Sequence, residues 1–193
     1  MTEPARDRIL DAAEACLGRD GIRRTTVARV ADEAGLSRAY VYRFFADKAT
    51  LLSAALIRRD EQFWDEARAR VAGVLPEGIG AMVAEAVLLA RASPLGPLAL
   101  SLAESEPEAY AEVIGTYAHE IVPGLSGFWV ELVGLAAEGG VIRDDLDIEA
   151  AAEWVLRVVV SLVAVPGDRV DTADRASLRT FLATFLDPAF SPV

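Results

Sequence analysis

The sequence predicts an all-α protein, and three observations carry that prediction. Apolar side chains recur at i, i+3, i+4 and i+7, the stripe of an amphipathic helix. Glycines follow these stripes and small polar residues precede them, as Gly35 and Ser37 or Gly139-Gly140 and Asp147 do. The one β-branched run, Trp154–Val163, lies inside a segment of helical length. That segment opens with Asp147 and the alanines at 150–152 and closes on Pro166-Gly167.

The first helix is expected over Arg6–Gly18, with Ile9, Ala13, Cys16 and Leu17 on its buried face and Pro4 in the opening turn. Cys16 sits on that stripe with no histidine or second cysteine nearby, so it reads as a small buried hydrophobe. Arg19-Asp20-Gly21 forms a turn, and Arg23-Arg24 lead into the next helix as solvated connectors or phosphate contacts.

Thr25–Ala34 places Val27, Val30, Ala31 and Ala34 on one stripe, with Thr25 or Thr26 as cap. Gly35 supplies the positive φ that stops a helix, Leu36 plugs the turn, and Ser37 caps a short second helix. On that helix Val41 and Phe45 point inward, while Arg38 and Tyr42, and likewise Ala39 and Arg43, stack one turn apart on other faces. Cations and a phenol along the outside of a short helix suit the major groove of DNA.

Thr50–Val71 reads as one long helix with Leu51, Leu52, Ala55, Leu56 and Phe63 inward and Arg58, Arg59 and Asp60 outward. Gly73, Pro76 and Gly78 end it. Gly80–Ala92 is apolar nearly all round, hence a buried helix, and Leu98–Ser105 a short one. From Pro107 the stripe is Tyr110, Ile114, Tyr117 and Ile121. Pro123-Gly124 should kink or interrupt it before Leu125, Phe128, Trp129, Leu132 and Ala136 resume it. Asp147–Val165 and Thr172–Leu186 complete the chain, the latter with Leu178, Phe181, Leu182 and Phe185 in register.

Composition bounds the function. The chain has 193 residues, 53% hydrophobic, enough for a small headpiece and a helical body rather than two large domains. Its longest uncharged run, Ala92–Ala103, falls short of the roughly 18 residues a bilayer crossing needs. The N-terminal MTEPARDRIL mixes charges before any apolar run, unlike a secretory signal, so a cytoplasmic protein with no membrane partner is expected. One histidine (His119) and one cysteine offer no metal constellation, and no nucleotide loop or nucleophile elbow occurs. Carboxylate pairs such as Glu104/Glu106 read as solvated charges, so neither an enzyme nor a cofactor is expected.

Net charge is −11, which taken whole argues against a nucleic-acid partner. Its distribution argues otherwise. Residues 1–48 carry nine Arg/Lys and eight Asp/Glu, net +1, whereas residues 49–193 carry ten and twenty-two, net −12. A polyanion would orient such a molecule tip first.

The stretch Gly35-Leu36-Ser37-Arg38-Ala39-Tyr40-Val41-Tyr42-Arg43-Phe44-Phe45-Ala46-Asp47-Lys48 resembles the helix-turn-helix signature of TetR-family transcriptional regulators. The family's Tyr, Phe, Lys and Leu positions correspond to Tyr42, Phe45, Lys48 and Leu51. Phe44 stands where the family often carries histidine, and Ala49 where an acidic residue is common.

The resemblance implies a three-helix DNA-binding domain over residues 1–48 and a helical ligand-binding and dimerisation domain over 49–193. It implies a homodimer reading a near-palindromic operator in double-stranded DNA, and a repressor released by a small hydrophobic or aromatic ligand. Arg38 is expected to read a base edge, with Ser37, Ala39 and Tyr40 near it. Thr25, Thr26, Tyr42, Arg43 and Lys48 are expected on phosphates. Phe63, Met82, Tyr110, Tyr117, Trp129 and Trp154 are the candidate ligand contacts. Val155, Val158, Leu178, Phe181, Leu182 and Phe185 are the candidate dimer interface. The alternative is a protein-interaction module that keeps the headpiece without specific DNA reading.

Overall fold

The computed structural model describes residues 3–92, 102, 105–164 and 167–192, without the side chains of residues 3, 114–124 and 164. Among the described residues every regular element is helical: α1 (Glu3–Arg24), α2 (Val27–Ala34), α3 (Arg38–Val41), α4 (Lys48–Gly73), a 3₁₀ turn (Leu75–Glu77), α5 (Ile79–Ala92), α6 (Pro107–Glu138), α7 (Ile148–Ala164), α8 (Arg175–Phe185) and α9 (Asp187–Phe190). The expected Leu98–Ser105 helix lies mostly outside the described residues.

The chain divides into two compact units, Met1–Asp60 with Pro97–Ile121, and Glu61–Gly96 with Val122–Val193. The first break between the two units falls after residue 60, inside α4, so that this long helix contributes to both. The first part of α6 belongs to the N-terminal unit.

In the first unit, Ile9, Leu10, Ala13, Cys16 and Leu17 of α1 are fully or almost fully buried, with Val30 and Ala31 of α2 and Leu51, Leu52 and Ala55 of α4. Burial also pushes the Cys16 thiol up, as expected of an inert core cysteine. Polar bonds fix the helices at their rims. Arg8 donates to the Ala34 carbonyl (2.6 Å), closing the end of α2 onto α1, and Arg19 of α1 reaches Glu33 of α2 (3.1 Å).

Arg58 and Asp60 do not face out as expected. Arg58 donates to Glu14 (2.7 Å) and Asp11 (2.6 Å) of α1, and Asp60 is 6% exposed. The acids at 7, 11 and 14 share one face of α1 at helical spacing, a cradle for a cation arriving from elsewhere.

In the second unit α5 is central, as its all-round apolarity predicts, with α7, α8 and α9 packed on it. Asp187 of α9 accepts the Gly80 N–H (2.6 Å) and so caps the start of α5. The segment Asp147–Val165 is a helix despite its β-branched centre, and Asp147 caps it by accepting the Ala150 N–H (3.1 Å). Pro123-Gly124 does not interrupt α6, which is helical from Pro107 to Glu138. A proline removes a single i→i−4 bond, and the buried Trp129, Leu132, Val133 and Ala136 hold the helix beyond it.

Candidate nucleic-acid interface

The reading surface is built by two caps and two anchors. Thr26, in extended conformation, accepts the Arg29 N–H (3.2 Å) and starts α2. Gly35 ends that helix at φ 64°, ψ 37°, and the N–H groups of Gly35 and Leu36 return to the carbonyls of Asp32 and Ala31. Ser37 then accepts the Tyr40 N–H (3.1 Å) and starts α3. Val41 and Phe45, 0% and 4% exposed, pin α3 and the turn after it to the core. Their burial forces Arg38, Ala39, Tyr42 and Arg43 outward, all exposed.

Charge pairing divides the cations of this region into two groups. Arg23 pairs with Glu108 (2.7 Å), Arg29 with Asp20 (3.5 Å), and Lys48 donates to the Ile22 carbonyl (2.7 Å). The guanidinium of Arg38 has neither ion pair nor hydrogen bond among the described residues. That of Arg43 lies over the Tyr40 ring, 5.2 Å from its centroid. Tyr40 in turn meets Phe44 edge-on at 5.4 Å. Phe44, in the place of the family's frequent histidine, therefore supports the outer ring that carries Arg43.

Two of the expected phosphate contacts turn inward. Thr25 is 0% exposed and its hydroxyl donates to the Gly21 carbonyl (2.7 Å). Lys48 is half-buried, and desolvation draws its ammonium below the usual lysine range against the opposing pull of Glu106 and Glu112. Thr25 is expected on phosphate as a residue at a helix start and Lys48 from its place in the signature; the fold sets a carbonyl opposite each.

The candidate ligand residues also separate. Met82 and Trp129 are 0% exposed, and Trp129 packs against Trp64 (5.1 Å) and Phe128 (4.9 Å), with Phe63 edge-on to Trp64 (4.8 Å). The Trp129 indole N–H has no partner in this apolar cluster. In the first unit, burial and then the nearby Asp60 push the Tyr110 phenol up to about 12, so it stays neutral at physiological pH. Trp154 is 52% exposed and does not face the interior of its own unit. The Tyr117 side chain lies outside the described residues.

Of the candidate dimer residues, Val155, Leu178 and Leu182 are already buried within one copy. Val158 and Phe181 are half-buried, and Phe185 is 72% exposed. Among the described residues no cluster of three or more His, Cys, Asp or Glu could hold a metal ion, and no helix is long and apolar enough to cross a membrane.

Two short helices joined at a left-handed glycine, with a cationic ridge on the second, are the architecture of a helix-turn-helix. Residues 9–55 match the family described as bacterial regulatory proteins, tetR family. Two HTH-type transcriptional regulators from strains of Mycobacterium tuberculosis are each 28% identical over 191 residues, covering 99% of this chain and 88% of theirs. The fold is similar to that of the R. erythropolis transcriptional repressor QsdR, at 18% identity over 96% of each chain with a TM-score of 0.70. It is also similar to that of the TetR-family repressor AlkX from Dietzia sp., at 22% identity over 95% of each chain with a TM-score of 0.66. Over residues 9–55 the chain is thus similar to the tetR family of bacterial regulatory proteins, and its fold is similar to that of these solved repressors.

Proposed function

We propose that the protein is a repressor that binds a near-palindromic operator as a homodimer and is released by a small apolar or aromatic ligand. The observation that carries DNA reading is the ridge of Arg38, Tyr42 and Arg43: exposed, held by buried Val41 and Phe45, and without an acidic partner among the described residues. In this reading Arg38 meets a base edge, with Ser37, Ala39 and Tyr40 beside it. Thr26, Tyr42 and Arg43 hold phosphates, and the capped start of α2 adds its N–H groups to that set.

A single short helix reads few base pairs, so specificity calls for a second copy at fixed separation. The exposed Trp154, Val160 and Phe185 of α7 and α8 support an interface on those helices. The buried aromatic cluster around Trp129 supports an apolar ligand.

The test is a gel shift on duplex DNA flanking the protein's own coding region, at two salt concentrations. A shift that survives added random duplex and weakens with salt is expected. Equal competition by random duplex would remove the proposal of a specific operator.

A further inference from the structure

The end of α1, kinked at Gly21 before α2, is braced by three residues of its unit. Gly21 takes φ 77° and ψ 179°, a backbone region that essentially only glycine enters. Its carbonyl accepts from both the N–H (3.2 Å) and the hydroxyl (2.7 Å) of Thr25. The next carbonyl, of Ile22, accepts from Lys48 at the start of α4 (2.7 Å). The Arg23 N–H donates to the carboxylate of Glu106, the residue before α6 (2.9 Å).

Glu106 reaches this amide because Gly21 has no side chain: a Cβ there would stand 1.7 Å from the Glu106 Oε1. A cleft of about 280 Å³, lined in part by Ile22, Arg23, Lys48, Leu52, Ala109 and Glu112, opens beside these bonds. Hydrogen bonds more than close apolar packing therefore hold this side of the kink.

We infer that Glu106 is a positioning residue for DNA binding, acting through the backbone N–H of Arg23. The inference rests on the DNA-binding reading above. Arg23 stands three residues before Thr26, which caps α2, and α2 carries α3 through the Gly35 turn. Whatever displaces Glu106 frees the start of α2, and with it the orientation of the ridge. The bond crosses 83 residues of sequence and ties the residue before α6 to the segment that leads into α2.

Two substitutions isolate the bond from the charge. Glu106→Gln and Glu106→Ala both remove one negative charge, and only glutamine keeps an acceptor for the Arg23 N–H. The probes are a duplex enriched by the wild-type protein from a random pool and a scrambled duplex of the same composition. On the enriched duplex Glu106→Ala is expected to bind roughly fivefold to tenfold more weakly than Glu106→Gln. The two should bind the scrambled duplex equally, since their electrostatics match.

Amide hydrogen exchange at Arg23, followed by NMR, should be faster in Glu106→Ala than in Glu106→Gln. Equal affinities of the two variants for the enriched duplex, or equal exchange at Arg23, would overturn the inference. A wild-type protein that enriches no duplex would sink the DNA-binding reading itself, an outcome distinct from either of these.

Discussion

Arg38 and Lys48 are both cations in the helix-turn-helix segment, yet their surroundings differ, and two substitutions separate them. Arg38→Ala removes an exposed guanidinium with no partner among the described residues, so folding stability should change by no more than about 0.5 kcal/mol. Lys48→Met removes the donor to the Ile22 carbonyl at 2.7 Å, on a residue only 4% exposed. An unsatisfied buried acceptor costs about 1–3 kcal/mol. Methionine fills the space of the lysine stem and relieves a desolvated ammonium, which offsets part of that cost. The net expectation is a loss of about 1–2 kcal/mol by urea unfolding.

On DNA the order reverses. Measured by fluorescence anisotropy, Arg38→Ala should lose about 1–3 kcal/mol per half-site and relax base preference at one position. Lys48→Met should leave the slope of log affinity against log salt unchanged, because the ammonium sits on a carbonyl and not on a phosphate. A Lys48→Met protein of wild-type stability whose salt slope falls by about one unit would refute the reasoning and return Lys48 to the phosphate backbone.

Phe185→Asp should leave the monomer folded, since Phe185 is 72% exposed, and should dissociate the dimer in sedimentation velocity; a variant that still sediments as a dimer would move the interface elsewhere. Gly80→Ala places a Cβ 2.7 Å from the Asp187 carboxylate that caps α5. It should cost about 1–2 kcal/mol in thermal unfolding, and less once Asp187→Ala has already removed the cap. Glu85, 4% exposed, pairs with Arg70 (2.8 Å) and Arg175. Burial alone would raise its carboxyl, but those two arginines outweigh burial and hold it below its ordinary 4.5. Its contribution to stability is therefore present above about pH 4.5 and lost as pH falls through the lower folded value. Glu85→Gln should flatten that part of the acid limb in urea unfolding followed from pH 6 to pH 3; superimposable limbs would exclude it.

The helices of the reading unit were legible because their signals are local. Val27, Val30, Ala31 and Ala34 form one stripe in sequence and are all buried in the structure. Gly35 at positive φ, the cap at Ser37, and the anchors Val41 and Phe45 follow from residue type and spacing alone, whereas the cap of α2, open between Thr25 and Thr26, is Thr26. The same held where propensity pointed the wrong way: Asp147 and the segment's length outweighed the β-branched run after Trp154.

Partner choice was not legible, because it depends on groups distant in sequence. Thr25 and Lys48 look like phosphate contacts until the carbonyls of Gly21 and Ile22 stand opposite them. Arg58 looks solvated until Asp11 and Glu14 meet it across α1. In an apolar helix the stripe says that a face is covered but not by what. Only packing on α5 decided that Leu178 and Leu182 belong to the core of one copy while Phe185, on the same stripe, remains exposed. Sequence by itself determined that these segments are helices and which side most of them turn inward, because those are matters of caps and period; it missed the continuity of α6 through Pro123-Gly124, which neighbouring packing holds together. Tertiary structure decided which polar group each side chain meets, because a hydrogen bond a few ångströms long can join residues more than eighty positions apart.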